Sequence, residues 1–178
     1  MTDFLVRYIR FAGAFNAAVG RIAAWGTTLT VLVCFMVVLL RYSLSYGQIW
    51  MQDFYVWTHG AVFMCGAGYV YLAGGHVRVD IMYSRVSAKR KAAIDLFGVL
   101  VFLLPWLGVV AWSSWEFVSR SWGLREPSAQ ADGMPGVFIL KSVLLIFCAV
   151  LLIEGLAVAG RSILVLSGRG PAVPAVLK

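Results

Sequence analysis

Residues 96–115 read LFGVLVFLLPWLGVVAWSSW, a run of twenty positions without one ionisable side chain. At about 1.5 Å of rise per residue, twenty helical residues match the roughly 30 Å hydrocarbon core of a bilayer. Read outward from this run, three more segments qualify as spans, about 22–40, 54–73 and 137–160, and the third span itself extends to about 93–115. The whole chain agrees: it has 178 residues, 61% hydrophobic and 13% charged, with a mean hydropathy of +0.86. Soluble domains lie far from that composition.

The charges sort by connection. Arg7, Arg10 and Arg21 precede span one; Arg78, Arg85, Lys89, Arg90 and Lys91 lie between spans two and three; Arg161, Arg169 and Lys178 follow span four. Only Arg41, Arg120 and Arg125 fall in the other two connections. With four spans this puts eleven basic residues on one side and three on the other, and the positive-inside rule places both termini in the cytoplasm. The expected fold is therefore all-α, an integral membrane protein of four transmembrane helices with short interfacial amphipathic helices. The net charge of +7 forms no stripe of the kind that binds nucleic acid, and the basic 74–93 connection suits anionic lipid head groups instead.

Smaller features refine this outline. Residues 3–20 are amphipathic and read as a helix lying in the cytoplasmic interface; 79–90, behind Gly74-Gly75, read as a second interfacial arm. The four-helix membrane domain covers 1–166, and 167–178 read as a flexible tail. Trp50, Tyr55, Trp57, Trp112, Trp115 and Trp122 mark the outer boundary, and Trp25, Tyr69, Tyr71 and Tyr83 the inner one. Asp95 is expected in the first turn of span three. Pro105 is expected to kink that span, and Asp132-Gly133-Met134-Pro135-Gly136 reads as a turn that launches span four. No cleaved signal peptide is expected, because the first apolar run begins late and is too long.

Tests for chemistry turn up little. Cys34, Cys65 and Cys148 lie in three separate apolar spans without Cys-x-x-Cys spacing and read as small hydrophobes rather than a disulfide or metal set. The phosphate-loop outline in 155–162 ends an apolar span, the wrong setting for one. His59 and His76 are 17 residues apart, about 25 Å along a helix, so one chain cannot sandwich a haem iron between them. His59 reads as a neutral, hydrogen-bonded residue facing a neighbouring helix. Lys141 and Glu154, about 20 Å apart, read as residues near the two ends of span four that cannot pair with each other. A midplane empty of charge points to an accessory or scaffolding subunit. No inverted internal repeat is present. No cofactor or metal and no enzymatic activity is expected.

Trp50-Met51-Gln52-Asp53, the span with Tyr55, His59 and Phe63, then Gly75-His76-Val77-Arg78-Val79-Asp80-Ile81, Ser87 and Lys89-Arg90-Lys91 form an ordered series. Ser121-Trp122, Glu126-Pro127-Ser128 and Pro135 ahead of Lys141 continue it. Over roughly residues 20–160 the chain resembles the small permease subunit of tripartite ATP-independent periplasmic (TRAP) transporters, with Asp53 where that family more often has Glu. The resemblance implies a multi-pass protein of the bacterial inner membrane. Its partners would be a large multi-span permease, a periplasmic solute-binding protein and membrane lipids. The large subunit would hold the ion and solute sites of a secondary active, usually sodium-coupled system for organic acid-type solutes, and the small one would brace it. In that setting His76, Arg78, Asp80 and Arg85 are candidates for a cytoplasmic partner or lipid interface. Trp50, Gln52, Asp53, Arg125, Glu126 and Ser128 are candidates for a periplasmic partner interface. A membrane anchor of an oxidoreductase and a free-standing tetraspan protein are the other classes open to this sequence.

Overall fold

The computed structural model describes residues 2–76 and 86–168, and these form four helical stretches: α1 (Thr2–Leu44), α2 (Ile49–Leu72), α3 (Ala88–Leu124) and α4 (Val137–Leu166). Among the described residues there is no strand, only an isolated bridge between Pro127 and Pro135. Three of the helices, α1, α3 and α4, are long and apolar enough to cross a membrane. The 24 residues of α2 give about 36 Å, sufficient length, but Gln52, Asp53, His59 and three tyrosines dilute its apolar character.

α4 is the centre of the bundle. It packs against each of the other helices, and 44% of its most apolar window is buried, against 6% for α1 and 11% for α3. The other helices turn large apolar side chains outward, Trp25 at 76% exposure and Phe63 at 70% among them. That distribution suits a chain whose surroundings are lipid, where helix association rests on packing and polar contacts. Leu107, Cys148 and Leu151 form one cluster with Leu103, Ala67 and Tyr71 around them. Ile9, Ala12, Ala157 and Leu164 form a second, where the start of α1 meets the end of α4.

Where the sequence suggests an interfacial helix over 3–20 and a separate span over 22–40, the backbone is one helix of 43 residues, about 65 Å long. The reason lies on one face. Ile9, Ala12, Gly13, Asn16 and Gly20 are all buried and fall at i, i+3, i+4, i+7 and i+11. This small-residue seam lets α1 lie close to α2 and α4. A Cβ on Gly20 would sit 2.4 Å from the Tyr69 ring and one on Gly26 would sit 2.5 Å from Val62. These pairs set an antiparallel register that follows from the tight turn over 45–48, in which Ser45 takes a left-handed φ of 50° and the Tyr46 amide donates to the Leu40 carbonyl at 3.2 Å. Arg21 is exposed on the far side and interrupts nothing.

α3 begins at Ala88, so Lys89-Arg90-Lys91 form its first turns and Asp95 lies two turns in, not in the first turn. Of the expected arm over 79–90, residues 79–85 lie outside the described residues. The disturbance expected at Pro105 takes the form of a π-helical stretch over Gly98–Leu103 immediately before it, in which the Leu104 amide donates to the Val99 carbonyl. Proline offers no N–H and its ring crowds the carbonyl one turn back, so the helix widens there. α2 ends in a Schellman motif: Gly74 is left-handed, with φ 69°, its amide donating to Tyr71 O and that of Gly75 to Val70 O.

Gly68 is the tightest crossing. A Cβ there would lie 2.1 Å from Asn16 Oδ1 and 3.1 Å from Val150 Cβ, whereas one at Gly108, in the interior of α3, would meet nothing within 4 Å. Gly68→Ala is expected to destabilise the bundle by about 1–3 kcal/mol through overpacking, and Gly108→Ala to stabilise it by about 0.5–1 kcal/mol through helix propensity. Thermal unfolding of the two variants in the same detergent checks the opposite signs.

Candidate partner interface

The outer connection is built on the end of α3. Arg125 takes a left-handed φ of 44°; its amide donates to the Trp122 carbonyl at 3.3 Å and the Glu126 amide to the Ser121 carbonyl at 3.1 Å. This is a Schellman end with arginine where glycine is usual. It aims the Glu126 carboxylate back at the bundle, where Oε2 accepts from Ser121 Oγ at 2.6 Å and from Lys141 Nζ at 2.5 Å. Lys141 also lies 3.9 Å from the centroid of the Phe117 ring. Trp122 donates its indole N–H to Ser142 Oγ at 2.8 Å and packs edge-on against Phe138. Lys141 thus avoids isolation in its apolar helix by pairing across to the loop.

The same loop is clasped to α2. Asp53 Oδ2 accepts from the Met134 amide at 2.9 Å, and the Ser128 amide donates to the Met134 carbonyl at 3.2 Å. Asp132 is left-handed at φ 62° and Gly136 at φ 108°, so the turn expected from Asp132 to Gly136 is present. Gly133 fits because a Cβ would lie 2.3 Å from Ser128 Oγ and 2.8 Å from Asp53 Oδ2. Of the outer candidates, Asp53, Glu126 and Ser128 therefore come together as the frame of the loop. Trp50 and Arg125 are exposed, Gln52 is half-buried, and none of these three has a side-chain hydrogen bond among the described residues.

At the inner end, His76 is exposed and meets the edge of Tyr71, ring centroids 5.5 Å apart. Arg78, Asp80 and Arg85 lie outside the described residues.

Two sequence expectations need correction. Glu154 is not a terminus residue near the surface: it is fully buried, and because α4 runs on to Leu166 it lies 12 residues, about 18 Å, from the helix end. Its Oε1 accepts from Arg161 Nη2 and its Oε2 from Asn16 Nδ2 at 3.2 Å, while the Tyr8 hydroxyl donates to the neighbouring Ile153 carbonyl at 3.0 Å. The seven-residue spacing of Glu154 and Arg161, two turns on one face, was the available signal for the pair; Asn16 shows only as a polar residue in a seam of small ones. His59, expected to be hydrogen-bonded against a neighbour, is exposed and makes no hydrogen bond among the described residues.

The hydrogen bonds from Lys141 and Ser121, with the lysine charge, hold the Glu126 carboxyl below its ordinary value. A lowered folded-state value contributes stability above the unfolded carboxyl range, and that contribution disappears as pH falls through the folded value. Wild-type protein is expected to melt above Glu126→Gln near pH 7, with the gap closing as pH falls below about 4. Melting curves of both proteins across that range check the sign.

The comparisons with known proteins bear on this arrangement. No curated protein and no solved structure matches the chain. Residues 30–164 match the family described as tripartite ATP-independent periplasmic transporters, DctQ component, a stretch that holds the last third of α1, all of α2 and α3, the clasped loop and nearly all of α4. The matched region covers well over half of the sequence, and the chain belongs to the DctQ family of TRAP transporter components.

Proposed function

We propose that this chain is the accessory subunit of a secondary active, sodium-coupled TRAP transporter, bracing a large permease that takes up organic acid-type solutes delivered by a periplasmic binding protein. All four helices cross the bacterial inner membrane, α2 included, with both termini in the cytoplasm; the eleven-to-three division of basic residues supports that orientation. The observation that carries the reading, beside the family, is the placement of charge. Glu154 is neutralised by Arg161 inside a packed helix crossing, Glu126 by Lys141 at the rim, and Glu116 by Arg120 on the surface. α4 fills the centre of the bundle, packed against each of the other helices, and large apolar side chains face outward. That suits a body which holds another protein in place, and the family assignment favours it over an oxidoreductase anchor or a free-standing tetraspan.

Within this reading the outer residues divide. Asp53, Glu126 and Ser128 shape the loop, while Trp50, Gln52 and Arg125 present unengaged side chains to the binding protein or the large permease. On the inner side His76, Arg78, Asp80 and Arg85 contact lipid head groups or the large permease.

Reconstitution tests the function. Vesicles containing the chain and the large permease are expected to accumulate solute when the binding protein and a sodium gradient are supplied. Vesicles with the chain by itself are expected to accumulate none, and uptake by the chain alone would refute the bracing role. Arg125→Gly separates fold from docking: relief of the left-handed strain is expected to raise stability by about 1 kcal/mol, while uptake through the complete system falls. Melting and uptake measured on one preparation check the opposite directions.

A further inference from the structure

Arg21 is the charge that the bracing role leaves unexplained. It is exposed and makes no hydrogen bond or ion pair among the described residues. Its place in the sequence, one residue before the uncharged run 22–40, suggests the edge of the membrane. The packing puts it deeper. A Cβ on its neighbour Gly20 would lie 2.4 Å from Tyr69 Cγ, and one on Gly68, next to Tyr69, would lie 3.1 Å from Val150 Cβ. Val150 is 13 residues from the start of α4 and 16 from its end, about 20 and 24 Å. α3 agrees with α4. Leu107, the twelfth of the twenty uncharged residues 96–115, forms a cluster with Cys148 and Leu151, against which Ala67 and Tyr71 of α2 pack. Gly20 and Arg21 are therefore level with the middle of the apolar lengths of α3 and α4.

With the helices crossing the membrane as proposed above, that level is about 15 Å from either head-group layer, half of a core of about 30 Å. Snorkelling serves basic residues near the ends of a span, and ionisable groups at mid-depth face protein and pair there. Arginine cannot escape by losing its proton. The described part of this chain supplies no partner: Glu154 is buried against Arg161 and Asn16. The exposed carboxylates, Asp3, Glu116 and Asp132, lie near the start of α1, beyond the uncharged run of α3 and in the outer loop. A second copy of the chain presents the same surface and lacks the partner for the same reason. Around Arg21 the helix is open, because Ala14, Ala17, Ala24 and Thr28 share its face at i−7, i−4, i+3 and i+7, and small residues let another backbone come close.

We propose that a transmembrane helix of the large permease packs along this face of α1 and presents an aspartate or glutamate to Arg21. The proposal rests on the function given above and assigns a contact within it. Negative charge is the chemistry required, since a hydroxyl or an amide leaves the guanidinium charge uncompensated away from water. Without Arg21 the inner side keeps ten of its eleven basic residues against three, so the orientation is unchanged.

The test uses the complete complex in native membranes. A photo-reactive benzoylphenylalanine at Ala24, one turn from Arg21 on the same face, is expected to cross-link to the large permease. A wild-type complex that co-purifies while the Ala24 probe captures only lipid or a second copy of this chain overturns the contact and leaves the bracing function standing. Failure of the wild-type pair to co-purify, even after general cross-linking, overturns both. In parallel, Arg21→Leu is expected to weaken retention of the permease about thirtyfold or more, the cost of stranding one member of a desolvated charge pair. Arg21→Lys is expected to restore much of it and Arg21→Gln little. The isolated Arg21→Leu chain is expected to melt no lower than wild type. A clear drop there would put the partner within this chain and overturn the proposal, as would wild-type retention by Arg21→Leu or Arg21→Gln.

Discussion

A single buried carboxylate constrains this fold more than any other group. Glu154 is 0% exposed on the central helix, and an ionised carboxyl removed from water costs several kcal/mol unless charge and hydrogen bonds compensate it. Arg161 compensates from two turns along the same helix and Asn16 from α1. The arrangement fixes the rotation of α1 about its own axis, because only one face carries Asn16. It also fixes depth, because Ile9 and Ala12 then meet Ala157 and Leu164. α1 accordingly stays helical past Arg21 and reaches the end of α4.

The same site sets the third helix. Asn16 Oδ1 is buried without a conventional partner among the described residues, and it lies where Gly68 has a hydrogen in place of a Cβ. A Cα–H group pointed at an amide oxygen is a weak but real contact, and it exists only if the residue on α2 is glycine. One polar cluster thus orients α1, α2 and α4 together. The bundle that results has α4 at its centre and large apolar side chains on its outside, with the outer loop held to it by Asp53 and by the Glu126–Lys141 pair. A body whose buried charge is paired and whose flank is broad and apolar suits the bracing role proposed above.

Much of this was legible in the sequence, and the failures share a cause. Uncharged runs announced the long helices, and glycine and proline announced the turn at 132–136 and the end of α2, because those signals are local. The continuity of α1 was not legible: Arg21 resembles a boundary until the seam of Ile9, Ala12, Gly13, Asn16 and Gly20 is seen to have a partner. Lys141 and Glu154 stand out as charges in an apolar run, but their partners lie on other segments or beyond the end of that run. Sequence periodicity says which face is small or polar; it does not say what that face meets. His59 shows the converse, a residue for which the sequence suggests a hydrogen-bond partner and the structure shows none among the described residues.

The most direct measurement of the central claim is a double-mutant cycle at the buried pair. Arg161→Met leaves Glu154 buried with Asn16 alone and is predicted to lower stability by about 3–5 kcal/mol. Combining it with Glu154→Met removes the stranded charge and is predicted to return most of that stability, with an interaction energy far from zero. Near-neutral behaviour of Arg161→Met, or simple additivity of the two changes, would contradict the view that this carboxylate organises the bundle.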